Sequence, residues 1–245
     1  PANPNSPAKA IADKAYNIST VDIDAVEKIA RDENIDGIFV AWSDNNHYIA
    51  EELCRRLDLP FYATQEQLLT FTNKQLFKEA CKKFGVSVVP QFTLTAELKK
   101  EDVKHLEFPV IIKPCDSYSG KGITICHAED EIKGAVAEAL SKSKTKQFLT
   151  EKYMDDEHYD TICLYYTIQD GISALSAMTD RYMQEFAGGK RLNTAIFYPS
   201  QYLPRFLSSG MNEKIKNMLK GLGVQNGTIF LEGCVNADDF YLWES

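Results

Sequence analysis

No apolar run in this 245-residue chain approaches membrane-spanning length, and no signal peptide is visible, so no helical membrane span and no secretory route is expected. The six cysteines (54, 81, 115, 126, 163 and 234) are scattered and form no CxxC pair. That spacing argues against a zinc site or a disulfide framework and favours reduced thiols in the cytoplasm. Internal repeats and low-complexity tracts are missing as well. Basic residues are too few to balance the acids, leaving a net charge of −8 at pH 7. This argues against a non-specific nucleic-acid partner, although a basic cleft can sit inside an acidic protein. Two familiar phosphate loops are absent. A P-loop around Gly120-Lys121 would need glycine where Cys115 stands and Ser or Thr where Gly122 stands. Gly221-Leu222-Gly223 lacks the third glycine of a dinucleotide fingerprint and follows a helical pattern, so it reads as a helix C-cap.

What is present is a globular composition, 44% hydrophobic and 25% charged, on a chain long enough for two or three small cores. Its organising stretch is Phe108 to Gly122, FPVIIKPCDSYSGKG. Val110-Ile111-Ile112, framed by Pro109 and Pro114, predicts a strand, and Ile123 to Cys126 predicts its partner. The connection between them is longer than an ordinary hairpin loop and is small, polar and glycine-punctuated. Ser117, Ser119, Gly120, Lys121 and Gly122 suit a flap whose backbone N–H groups, hydroxyls and charge close over phosphates, with Lys113 at its root. An exposed hairpin with an ordinary surface lysine is the alternative.

The chain opens with a proline-rich loop. Helices are predicted over Val21 to Glu33, capped by Thr20 or Asp22, and from about His47 to Leu57. Ile38-Phe39-Val40 and Leu59-Pro60-Phe61 read as strands between and after them. The alternation implies a parallel α/β layer with few strands, as if the chain began partway through a domain. Thr72-Asn73-Lys74-Gln75 has capping-box spacing and opens a helix that ends at Gly85. Lys74 falls in its first turn, against the helix dipole, so it is either a tolerated mismatch or a side chain reaching toward an anion. A short helix is predicted over Asp130 to Leu140, and a strand over Gln147 to Met154. A hairpin is expected around Asp170-Gly171. Arg181 to Ser200 reads as a mostly irregular loop, with Arg181 and Arg191 as candidate substrate contacts. A helix is expected from about Asn212 to Leu222.

The last hairpin joins Thr228 to Asn236 with Phe240 to Glu244. A three-residue turn, Ala237 to Asp239, would pair Asn236 with Phe240 and set Glu232 opposite Glu244. Like charges directly opposed on a sheet are destabilising. A hard divalent cation between them would remove that cost, and Mg²⁺ is commonly held by one or two carboxylates plus substrate phosphates. A turn one residue longer or shorter, or two merely exposed glutamates, is the alternative.

Together these segments resemble the ATP-grasp superfamily, in particular its biotin carboxylase and carbamoyl-phosphate synthase large-chain-like members. FPVIIKP with its Ser/Gly-rich loop resembles the family's lid, FLTEKYM its adenine hinge, and Glu232 with Glu244 its magnesium carboxylates. The fold class implied is α/β and α+β, an ATP-grasp fold with a truncated pre-ATP-grasp α/β domain and two lobes clasping the nucleotide. The expected boundaries are 1–64 for the partial α/β domain, 65–89 for a connecting helical segment, 90–147 for the lid and 148–245 for the C-terminal lobe. The resemblance implies ATP and Mg (or Mn) as cofactors. Lys74 and Lys113 would contact phosphates, with Ser117, Ser119, Gly120 and Gly122 in the covering loop. Glu151, Lys152, Tyr153 and Met154 would frame adenine, and Glu157 would hold the ribose hydroxyls. The reaction implied is an ATP-dependent carboxylate–amine ligation through an acyl phosphate, on small-molecule carboxylate and amine substrates, with a homodimer left open. A non-catalytic nucleotide-binding regulatory module and a kinase-like phosphoryl transferase are the alternatives. Family members continue past the second metal glutamate with an asparagine and an arginine, so this chain, ending at Ser245, is expected to be a piece of a longer protein.

Overall fold

The computed structural model describes residues 3–41, 43–117, 120–155, 157–186 and 190–245, with backbone alone at 185–186 and 190–192. The chain divides into two compact units, Pro1–Leu68 and Leu69–Ser245. In the first, helix α1 (Ile23–Asp32) starts at Asp22, whose carboxylate accepts the Ala25 N–H at 3.2 Å. Helix α2 (Asp44–Leu57) stops at Asp58, which takes the left-handed conformation. Arg56 ties the two helices, reaching Asp24 at 2.8 Å and Glu27 at 3.2 Å. Ala30, Ala50, Leu53 and Cys54 are buried. The expected parallel layer is not formed among the described residues of this unit. Ile38 to Val40 and Leu59 to Phe61 are irregular, and Phe39 is 87% exposed. A β-branched run becomes a strand only where a neighbouring ladder takes its backbone groups, and the described residues of this unit offer none.

Helix α3 (Gln65–Thr72) spans the division, and α4 (Lys74–Lys83) opens the second unit proper. Asn73 caps α4, its side-chain oxygen accepting the N–H groups of Gln75 at 3.0 Å and Leu76 at 3.2 Å. Residues 91–152 contain β1 (Gln91–Phe92), α5 (Lys100–Lys104), β2 (Val110–Pro114), β3 (Thr124–Cys126), α6 (Ile132–Lys142) and β4 (Phe148–Lys152). Its strands form an antiparallel sheet in the order β1-β4-β2-β3. Val110 and Ile112 point to one face and pack against Ile132, Ala135, Val136 and Ala139 of α6. Period-2 alternation sends Ile111, Lys113 and Glu151 to the other face.

The remaining elements are β5 (Asp160–Gln169), β6 (Ile172–Phe186), β7 (Lys190–Phe197), α7 (Leu203–Ser208), α8 (Met211–Gly221), β8 (Gly227–Val235) and β9 (Phe240–Glu244). The strands make a second antiparallel sheet in the order β7-β6-β5-β8-β9. Asp170 and Gly171 both have positive φ, 50° and 76°, as the tight β5–β6 turn requires. One face of this sheet, with Ile162, Leu164, Tyr166, Leu231, Phe240 and Leu242, packs on α4, α7 and α8 to form the main core. Two expectations fail here. Residues 181–200, read as an irregular loop, are largely strand: β6 runs to Phe186 and β7 pairs back onto it, Arg181 opposite Ile196. An edge strand needs only one neighbour, and this stretch has no apolar face to announce it. Helix α7 carries Pro204 in its first turn, where a proline is tolerated.

The β8–β9 register is the second correction with consequences. The turn is one residue longer than the three-residue reading, so Val235 rather than Asn236 lies opposite Phe240. Gly233 then pairs with Leu242, and a β-bulge at Trp243 restores Glu232 opposite Glu244. Phe240 and Leu242 face the core. Without the extra residue, alternation would turn Glu244 into the core after them; the bulge moves it to the opposite face, beside Glu232.

Candidate functional site

The site grows from three places in the second unit: the first turns of α4, the inner face of β2 and β4, and the end of β8–β9. The backbone N–H of Lys74, a donor that α4 itself cannot satisfy, gives its hydrogen bond to the Cys115 carbonyl at 2.9 Å. That contact fixes the start of α4 against the root of the 116–122 loop. The Lys74 side chain is buried; its Nζ donates to the Ser117 carbonyl at 2.8 Å and meets the Glu244 carboxylate at 3.1 Å. The mismatch with the helix dipole is thus answered by a carboxylate.

Glu232 and Glu244 lie opposite each other, and each has a cation. Glu232 is paired with Arg181, whose guanidinium also lies 4.9 Å from the centre of the Phe230 ring. Burial, together with the neighbouring Glu244 charge, pushes the Glu232 carboxyl up to about 7 despite Arg181. Burial pushes Glu244 the same way, but Lys74 and then Lys113 outweigh it and hold that carboxyl below its ordinary value. One carboxylate of the pair is therefore charged and the other poised, which is how two acids share a partly buried site. Among the described residues no group of three or more His, Cys, Asp or Glu gathers as a metal-holding set. The donor set is this pair, which fits a hard cation that takes its other oxygens from phosphates and water.

Lys113 is buried at the root of the loop, 2.7 Å from Glu151. The Glu151 side chain is turned into the interior: it is 1% exposed and also meets Lys78 at 2.5 Å. The backbone of Lys152 and Tyr153 is engaged as well, donating to the carbonyls of Pro90 at 3.0 Å and Pro109 at 3.1 Å. Met154 follows β4 as irregular, half-buried chain. Glu157 is exposed on a turn whose N–H groups Asp155 accepts. In the loop, the Ser117 hydroxyl donates to the Lys121 carbonyl at 2.8 Å, and Asp116 accepts the Thr145 N–H at 2.8 Å. Gly120 and Gly122 have φ of 69° and 77°, and a side chain at Gly122 would meet Pro114 and Lys142. Ser119 lies outside the described residues. Arg191 is placed by its backbone, opposite Glu185 in the β6–β7 ladder.

The structure thus brings together Lys74, Lys113, Ser117, Glu151, Arg181, Glu232 and Glu244, and keeps Glu157 on a separate exposed turn. Lys78 was missed. It follows Lys74 by one turn of α4, on the flank of the apolar stripe Phe77, Ala80 and Cys81, and that i,i+4 spacing was the available signal.

Two antiparallel sheets on helices, with lysines and paired glutamates gathered as described, make this an ATP-grasp fold. The chain belongs to the family described as carbamoyl-phosphate synthase L chain, ATP binding domain, whose model matches residues 73–244. The carbamoyl phosphate synthase large chain of Vibrio cholerae is 22% identical over 238 residues, covering 95% of this chain and 21% of that protein. The chain thus spans about a fifth of the length of the curated relatives it matches. Among solved structures, the biotin carboxylase domain of Hydrogenobacter thermophilus 2-oxoglutarate carboxylase superposes with a TM-score of 0.81 at 20% identity, over 96% of this chain and 54% of that one. An L-amino acid ligase from Bacillus licheniformis gives 0.66 at 14% identity, over 91% and 51%.

Proposed function

We propose that this chain is the ATP-binding part of an ATP- and magnesium-dependent ligase. It would activate a small-molecule carboxylate as an acyl phosphate for attack by an amine or another nucleophile. The observation that carries the reading is the gathering of Lys74, Lys113 and the opposed pair Glu232 and Glu244 within the segment that the family model matches. The 2-oxoglutarate carboxylase domain was solved with MgADP and bicarbonate, which supports the same ligands here.

In this reading Lys74 and Lys113 hold the phosphates, and the loop with Ser117, Ser119, Gly120 and Gly122 covers them. The segment Glu151 to Met154 frames adenine, and Glu157 takes the ribose hydroxyls. Mg²⁺ (or Mn²⁺), held by Glu232 and Glu244 together with the phosphates, would supply neutralising charge at the transferred phosphoryl group. The substrate carboxylate attacks the γ-phosphorus and the bond to ADP breaks. The amine then attacks the carbonyl carbon, phosphate leaves, and the amine loses a proton. Arg181 and Arg191 are assigned to the substrate side. All six cysteines are free and buried, which supports a reducing compartment, the cytoplasm. No described helix is long and apolar enough to cross a membrane. A homodimer is proposed by analogy with the 2-oxoglutarate carboxylase domain dimer.

Calorimetric titration with ATP, with and without Mg²⁺, tests the binding; absence of Mg-dependent binding overturns it. ADP release by the full-length protein, screened across carboxylates with hydroxylamine as trapping nucleophile, tests the chemistry. A hydroxamate supports the acyl phosphate. A stable phosphorylated product would identify a kinase, and binding without ADP release a regulatory module.

A further inference from the structure

One buried carboxylate, Glu151, is shared by two lysines, and the two are not equivalent. Lys113 stands at the root of the 116–122 loop with 7% of its side chain exposed, whereas Lys78 is 0% exposed inside α4. The other carboxylates of the site are taken: Glu244 by Lys74 and Glu232 by Arg181. The Lys78–Glu151–Lys113 group therefore holds one more cation than it needs. A fully buried lysine is a costly way to fill space, since an apolar side chain would fill it without desolvating a charge. The Lys78 Nζ lies against the Glu151 oxygen outside hydrogen-bonding alignment, as a charge against a charge.

Resting on the reading of Lys113 as a phosphate ligand, we infer that Lys78 is a positioning residue, a standing counterion that keeps Glu151 neutralised when Lys113 leaves it for the nucleotide. With Lys78 in place, Lys113 can turn to an incoming phosphate without stranding a buried carboxylate. Without it, each binding event would have to leave Glu151 unpaired or forgo Lys113. Burial pushes the Lys78 ammonium down to about 8, while Glu151 at 2.5 Å favours its charged form. Lys78 itself is enclosed and does not reach the nucleotide; it acts only through Glu151.

The test is a Mg-ATP titration of four forms of the chain: the parent, Lys78→Met, Lys78→Arg and Lys113→Met. Lys78→Met is expected to weaken binding at least about tenfold, and Lys78→Arg, which keeps the counterion, to weaken it clearly less. A purely structural lysine would lower the melting temperature and leave affinity unchanged. That result, or a Lys78→Arg variant as weak as Lys78→Met in protein that folds, overturns the inference while leaving Lys113 as a phosphate ligand. Parent-like binding by Lys113→Met overturns the phosphate-ligand reading and this inference with it. If Lys78→Met does not fold, Lys78→Gln, which keeps a donor and loses the charge, takes its place with the same expected outcomes.

Discussion

Lys78 and Lys113 reach the carboxylate of Glu151 from two elements, α4 and β2, at 2.5 Å and 2.7 Å. The glutamate lies in the segment expected to border adenine, yet its side chain serves the interior. Glu151→Ala should therefore act on stability, because it leaves two buried ammonium groups without a counterion. Breaking a buried ion pair from one side costs about 3–5 kcal/mol. Chemical denaturation without nucleotide should register a loss of that order. A glutamate whose side chain served only adenine would leave the empty protein as stable as before and weaken ATP alone.

Lys113→Ala should weaken Mg-ATP binding more than Lys121→Ala. Lys113 is fixed on β2 at the root of the loop, whereas Lys121 is exposed on the loop itself. Hydrogen bonds to charged groups contribute about 1.5–3 kcal/mol, roughly a ten- to hundredfold change in affinity. Removing Lys121 should cost about threefold or less, as for an exposed, screened charge. Equal effects in a calorimetric titration would remove Lys113 from the phosphate site.

Signals local to the sequence were legible. The Thr72-to-Gln75 capping spacing announced the start of α4, although Asn73 rather than Thr72 caps it; the proline-framed apolar run announced β2, and Asp170-Gly171 announced the β5–β6 turn. Signals that depend on a distant partner were not. Ile38 to Val40 has strand composition but no ladder to join among the described residues, while residues 190–197 lack polar–apolar alternation but find a ladder in β6. Lys78 carries no local signal of burial, because the carboxylate that meets it lies far along the chain. The opposed glutamates were legible as a pair, but the register that joins them was not. The pairing Glu232–Glu244 comes from a longer turn plus a bulge at Trp243, two shifts that cancel.

Gly233 is what permits that bulge. A Cβ added there would sit 2.2 Å from the Tyr241 carbonyl oxygen and 3.0 Å from the Leu242 Cα, both backbone atoms of β9. Strand β9 would have to move away, and Glu244 with it. Gly233→Ala is expected to destabilise the chain by about 2 kcal/mol or more, as overpacking against backbone does. It should also abolish Mg-dependent nucleotide binding even in protein that remains folded. A melt and a Mg-ATP titration on the same sample check both, and a variant with parental stability and affinity would contradict the geometry.

The opposed pair gives a test with a definite sign. Burial and the Glu244 charge push the Glu232 carboxyl up to about 7 in the folded chain, from 4.5 ordinarily. Between those values the folded state holds a proton that the unfolded state has lost, so this group's contribution to stability falls as pH rises through the window. Glu232→Gln resembles the protonated form at every pH. Near pH 4.5 variant and parent should therefore melt together; by about pH 8 the variant should melt higher, because the parent then carries the charge that burial and Glu244 disfavour. Arg181 loses its partner in the variant, which opposes the gain. The upward shift of Glu232 despite Arg181 means that burial and Glu244 are the stronger influences. Other carboxylates in the chain titrate in both proteins and cancel in the difference. With Mg-ATP present the order should reverse, since the cation loses a charged oxygen and the variant gains less from ligand than the parent does. A melting difference independent of pH, or equal stabilisation of both proteins by Mg-ATP, would deny Glu232 its place in the metal pair.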